Sequence, residues 1–219
     1  MIQNIIFDFD GVLVDSEILV VRAFCKYLKE LNITITEKEF ANYVGNKTID
    51  VVGKLSSRLG IQDTKEFYNN IMNISRKIYS KELAPVVGAE KFIHKINQQK
   101  FIATNSWKER VVQGLKIVNF FHFFEERKIF SFETVKNPKP RPDIYLKIIE
   151  DANISPEETI IIEDSVVGVQ AGVSAKIKVI GLTAGKHWFE ERSSQILIDA
   201  GAYTVVKTYD DLLKILETL

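Results

Sequence analysis

Short apolar runs recur along this 219-residue chain at Ile2 to Phe7, Phe101 to Thr104, Ile129 to Phe132, Thr159 to Ile162, Lys178 to Ile180 and Tyr203 to Val206. They are rich in residues that favour strands, and segments of helical periodicity separate them. That alternation is expected of a parallel sheet covered by helices on both faces. One region departs from it. From about Ser16 to Leu83 only helical spacing is present, as in Val21, Phe24, Cys25 and Leu28 and then Val51, Val52 and Leu55. The pattern predicts an α/β core formed by residues 1–15 and 84–219, with a helical insert at 16–83. Leu13 to Ser16 is the predicted entry to the insert and Ala84-Pro85-Val86-Val87-Gly88 its exit. An insert tethered near the sheet's carboxyl edge is expected to act as a lid. There are no internal repeats or low-complexity tracts.

The first strand stops in Asp8-Phe9-Asp10-Gly11. Strand side chains alternate between faces, so Asp8 and Asp10 project to the same side where a glycine lets the chain turn away. The carboxyl edge of a parallel sheet is where open α/β folds bind ligands, and paired carboxylates there ask for a cation or a shared proton. A second apolar run, Ile160 to Ile162, stops in Glu163-Asp164-Ser165. Four carboxylates at one edge repel, and a divalent metal resolves the conflict. Magnesium suits this sparse oxygen set, whereas zinc lacks its usual cysteine and histidine ligands. Ser165 also reads as the cap of a following helix, a role compatible with the first.

Phe101 to Thr104 leads instead into neutral donors. Thr104, Asn105, Ser106 and the free N–H groups of a following helix would seat a phosphate. Ser106 and Glu109 have the spacing of a capping box, which is the competing structural account. Asn137 to Pro142 holds three of the chain's five prolines. Such spacing stiffens an extended backbone, which would present Lys139 to the acidic cluster, and Pro142 and Asp143 suit a helix start.

Composition narrows the classes. Lys plus Arg equals Asp plus Glu at 29 each, so no global field favours nucleic acid or an anionic membrane. Charged residues interrupt every long apolar segment, against a membrane span. Cys25 is the single cysteine, which excludes an intrachain disulfide. The N-terminal residues lack the zones of a signal peptide and no heptad pattern is evident, so a cytoplasmic monomer is expected. His94, His122 and His187 lie in no acidic setting, and core or surface roles are expected for them. A histidine-activated serine or cysteine nucleophile has no support.

The ordered motifs Asp8-Phe9-Asp10-Gly11-Val12-Leu13-Val14-Asp15-Ser16-Glu17, Thr104-Asn105-Ser106, Lys139-Pro140-Arg141-Pro142-Asp143 and Glu163-Asp164-Ser165 with Gly168 and Ala171-Gly172 span the chain. In this order they resemble the haloacid dehalogenase superfamily, in particular its β-phosphoglucomutase-like phosphatases. The resemblance implies a three-layer, Rossmann-like parallel-sheet core with an inserted α-helical cap. It implies Asp8 as the nucleophile that forms an aspartyl-phosphate, and Asp10 as acid and then base. Thr104 and Lys139 would hold the transferring phosphoryl group. Magnesium would sit on Asp8, the Asp10 carbonyl and Asp164, with Glu163 beside it or in the shell behind it.

Two departures bear on the substrate. Val20 stands where mutases of this group resemble one another in a histidine, and Thr48 stands near Gly45 where they have an arginine, although Lys47 could supply a cation. The expected reaction is therefore magnesium-dependent hydrolysis of a small phosphorylated metabolite, such as a sugar phosphate. A sugar-phosphate mutase and a non-catalytic phosphometabolite-binding protein are the alternatives. Glu17, Asn46, Lys47 and Trp107 are the candidates for substrate selection by position; as structure alone they read as a helix-start acid, a solvated turn and packing.

Overall fold

A computed structural model of the chain describes residues 1–40, 43, 48–189 and 192–219. The strands are β1 (Asn4–Phe7), β2 (Gln99–Thr104), β3 (Ile129–Ser131), β4 (Thr159–Glu163), β5 (Lys178–Leu182) and β6 (Thr204–Val206). They form one sheet in the order β3-β2-β1-β4-β5-β6, and all neighbours are parallel. Each of the six apolar runs became a strand, because a parallel sheet covered on both faces buries nearly every residue. Asn4 through Phe7 and Thr159 through Glu163 are buried throughout.

The helices are α1 (Glu17–Glu30), α2 (Glu37–Phe40), α3 (Thr48–Leu59), α4 (Thr64–Glu82), α5 (Ala89–Lys95), α6 (Lys108–Ile117), α7 (Asp143–Ala152), α8 (Val166–Ser174), α9 (Gln195–Asp199) and α10 (Tyr209–Thr218). Successive β1 residues serve opposite layers. Ile6 joins Phe101 and Ile161 in a cluster with Ile144 and Tyr145 of α7, Val169 of α8 and Leu197 of α9. Phe7 meets Phe92 of α5 edge-on at 6.2 Å, and Phe92 in turn lies 5.1 Å from Tyr209 of α10. These are the two outer layers of a three-layer core.

The chain divides into two compact units, Met1–Asp15 with Ala84–Leu219 and Ser16–Leu83. The second unit is helical and lies in sequence between β1 and β2. It has an aromatic core of its own: Phe24 stands 4.7 Å from Phe40 and 6.3 Å from Phe67, and Tyr27 stacks on Phe67 at 5.5 Å. The connecting segments of the first unit are less linker-like than their composition suggests. Val14 bridges Pro85, the Asp15 N–H donates to the Ala84 carbonyl at 2.9 Å, and the Val86 N–H donates to Leu13 at 3.1 Å. Val12, Leu13 and Val14 are buried.

Register decides where chemistry gathers. Phe7 is level with Ile102 of β2 and Ile162 of β4, so Asp8, Thr104 and Glu163 all fall at adjacent strand tips. The chain runs outward from β1 through β2 and β3, then returns to β4 on the other side of β1. That reversal is the switch point at which open α/β sheets bind ligands.

Candidate active site

Lys139 is the centre of the site. Its side chain is 2% exposed, and its Nζ lies 2.7 Å from Asp8 Oδ1, 2.6 Å from Glu163 Oε1 and 2.9 Å from the Ala103 carbonyl. These three acceptors use the three N–H bonds of an ammonium. Burial alone would lower the lysine's pKa, but Asp8 and Glu163 outweigh it and hold the group well above its usual value. Burial also pushes the Asp8 carboxyl well above the usual carboxylate range; Lys139 pulls it back, and Glu163, Asp164 and Asp10 raise it further. The nucleophile candidate is thus a desolvated carboxylate dependent on a nearby cation.

The lysine's backbone is fixed as firmly as its tip. Asn105 donates to the Lys139 carbonyl and accepts from the Lys139 N–H, both at 3.1 Å. The proline loop does not run extended as its composition predicts. The Arg141 N–H donates to the Pro138 carbonyl at 3.0 Å and closes a turn, after which Pro142 leads into α7.

Asp10, two residues beyond Asp8, belongs to a polar triad with Ser106 and Arg110. Arg110 Nη1 lies 2.7 and 2.8 Å from the two Asp10 oxygens and 2.7 Å from Ser106 Oγ, and Ser106 Oγ donates to Asp10 Oδ2 at 2.6 Å. Thr104 Oγ1 accepts from the Ser106 N–H at 3.0 Å, which leaves its hydroxyl proton to donate. Asp164 is buried, with Oδ2 placed 2.9 Å from His187 Nε2. Its pKa is raised by burial first and by Glu163 next, while Arg192 and Lys139 oppose the shift. Gly11 explains the tight approach of the first motif: its φ is +79°, and a side chain there would collide with Asp164 Oδ2.

The sequence profile of the haloacid dehalogenase-like hydrolases matches residues 5–182. The chain belongs to that family. Over 188 residues this hydrolase is 27% identical to the 6-phosphogluconate phosphatase of Escherichia coli K12, covering 85% of each chain. It is also 27% identical over 220 residues to the phosphorylated carbohydrates phosphatase of Thermotoga maritima, covering 98% of each. A crystal structure of a haloacid dehalogenase-like protein from Agrobacterium tumefaciens superimposes with a TM-score of 0.90 at 26% identity, over 100% of this chain and 99% of the other. The chain is a phosphatase of this family. No helix among the described residues is long and apolar enough to cross a membrane.

Several residues stand elsewhere than expected. Glu163, expected beside the metal or in the shell behind it, has both oxygens engaged by the protein: Oε1 accepts from Lys139, and Oε2 accepts from the Asp164 N–H, the Ser165 N–H and Ser165 Oγ at 2.9 to 3.0 Å. It is a counter-charge for the lysine, anchored on the turn into α8. Ser165 does cap α8, accepting from the Gly168 N–H at 3.1 Å. The Asn105 side chain, read as part of a phosphate seat, is committed to the lysine loop instead. Ser106 makes no capping box; α6 starts at Lys108 after Trp107, and the Lys108 N–H is taken by Glu133 at 2.7 Å. His187, expected in a core or surface role away from acids, is 2% exposed against Asp164.

Arg110 belongs to none of the sequence motifs, although its place four residues beyond Ser106, early in a helix that leaves a strand tip, is a usable signal. Trp107 is 61% exposed with its ring edge on Phe132 at 4.8 Å. Glu17 is the first residue of α1 in the helical unit. Asn46 and Lys47 lie outside the described residues.

The donor set fits magnesium. Asp8 and Asp164 each commit one oxygen, to Lys139 and His187, and offer hard anionic oxygens in a buried setting short of positive charge. Among the described residues no three acidic, histidine or cysteine side chains already surround one point.

Proposed function

We propose that this protein hydrolyses phosphomonoesters of small phosphorylated carbohydrates through a covalent phosphoryl group on Asp8. The observation that carries the reading is the buried Lys139 ammonium clasped between Asp8 and Glu163. A phosphate ester is anionic, and so is the attacking carboxylate. A fixed cation at 2.7 Å from the nucleophile screens their repulsion and stabilises the charge spread over the phosphoryl oxygens.

In the first step an Asp8 oxygen forms a bond to phosphorus as the bond to the sugar oxygen breaks. Asp10 delivers a proton to the departing alkoxide. In the second step Asp10 takes a proton from water, the water oxygen attacks phosphorus, and the Asp8 carboxylate leaves. Thr104 donates its hydroxyl hydrogen to a phosphoryl oxygen, and Ser106 with Arg110 orients Asp10 between the steps. Asp8, the Asp10 carbonyl and Asp164 would hold magnesium, which would supply positive charge to offset that of the phosphoryl group. The carbohydrate class rests on the activities named for the Escherichia coli and Thermotoga relatives. Glu17, Asn46, Lys47 and Trp107 remain the proposed selectors among such substrates.

A phosphate-release screen over hexose phosphates, phosphogluconate, phosphoglycolate and p-nitrophenyl phosphate tests the reading with wild type and Asp8→Asn. The expected result is magnesium-dependent release by wild type and none by the variant. Equal release by both would refute the role of Asp8. Phosphate that stays on the sugar would make the protein a mutase, and binding without turnover would make it a sensor.

A further inference from the structure

His187 takes no part in the steps above, yet the fold builds a slot for it. The ring is 2% exposed, and side chains on either flanking glycine would crowd it: a Cβ on Gly11 would come within 2.8 Å of His187 Cε1, and one on Gly185 within 2.7 Å. The loop that carries it is tied down on both sides of the ring. The Lys186 N–H donates to the buried Asp15 carboxylate at 2.8 Å, and the Trp188 N–H donates to the Gly185 carbonyl at 3.0 Å. The ring's Nε2 reaches Asp164 Oδ2 at 2.9 Å.

We infer that His187 is a positioning residue that fixes the Asp164 carboxylate for magnesium by holding Oδ2 and leaving Oδ1 to ligate. The inference rests on the reading of Asp164 as a metal ligand. A carboxylate otherwise turns through a broad, two-fold torsional profile, and magnesium demands near-ideal octahedral geometry from its few protein ligands. A donor held rigidly behind the carboxylate removes that freedom before the metal arrives. Groups that hydrogen-bond to a ligand in this way are typically worth about 10- to 100-fold in metal affinity. With the ring neutral, the proton must sit on Nε2 for this bond, so the contact needs no charge on the imidazole.

Titration calorimetry with magnesium alone, on the full chain without substrate, tests the inference. His187→Met fills similar space with no N–H, and His187→Gln keeps a donor at similar reach, so the pair separates hydrogen bonding from packing. His187→Met is expected to bind magnesium about 10- to 100-fold more weakly than wild type, and His187→Gln to recover most of that loss. At saturating magnesium the KM for p-nitrophenyl phosphate should be shared by all three. Wild-type affinity in His187→Met, or equal loss in both variants, overturns the inference. Asp164→Asn is the control on its premise. If that variant binds magnesium as wild type does, Asp164 is no ligand, and the inference falls with the metal reading rather than with His187.

Discussion

Removal of the Lys139 ammonium should destabilise the fold in a pH-dependent way. In Lys139→Met, Asp8 and Glu163 would face one another in a buried site without the cation that now lies 2.7 and 2.6 Å from them. Breaking a buried pair by deleting one partner costs about 3–5 kcal/mol, because the other charge is stranded. For a chain of this size that corresponds to a fall in Tm of roughly 6–20 °C. The sign with pH follows from the shifts. The Lys139 pKa is raised on folding, so its contribution is complete below the usual lysine value and is lost only as pH rises through the raised one. That loss lies above neutral pH, so between acid and neutral pH the gap varies with the ionisation of the Asp8 carboxylate that the lysine faces. The Asp8 pKa is raised as well, first by burial, so its ionisation opposes folding between the usual carboxylate range and the raised value. The variant has no cation to offset that ionisation. Its stability should fall away from wild type as pH rises above the usual carboxylate range towards neutral, and approach it again in acid. Urea unfolding in the presence of a chelator at several pH values measures the gap. A gap that is absent, or constant with pH, would refute the assignment of Lys139 as a charge partner and leave only its packing.

Arg110→Ala should slow the hydrolysis of alkyl phosphates far more than that of p-nitrophenyl phosphate, because only the poor leaving group needs a well-placed proton donor. A loss of about 10²-fold in kcat/KM for a hexose phosphate is expected, against a few-fold for the aryl ester; equal losses would point to a direct role in phosphate binding. Asn105→Ala removes both hydrogen bonds to the Lys139 backbone. It should cost about 1–3 kcal/mol in urea unfolding and lower kcat, whereas a side chain that bound phosphate would raise KM and leave stability intact.

The sheet was legible because strands such as Ile160 to Ile162 are buried on both faces and keep unbroken apolar runs. The helical insert was legible because it shows no such run. Strand tips were legible for the same reason, as each apolar run stops where polar groups begin. What each tip residue does was less so. Glu163 and Asp164 are adjacent in sequence, yet one anchors Lys139 and the other faces His187, a division set by the turn into α8 and by a loop beyond β5. The proline run carried a correct placement of Lys139 and a wrong backbone, since the Pro138 carbonyl takes the Arg141 N–H. His187 left no local signal: the glycines that make room for it stand at positions 11 and 185, and the fold alone brings them together.

The central claim is that phosphorus passes through Asp8. Wild-type protein mixed with a turned-over ester and magnesium, quenched in acid within one turnover and reduced with borohydride, can be digested and sequenced by mass spectrometry. The account predicts homoserine at position 8, the reduction product of an aspartyl-phosphate, in molar proportion to the phosphoryl group retained. Release of phosphate with an unmodified Asp8 at every quench time would contradict it.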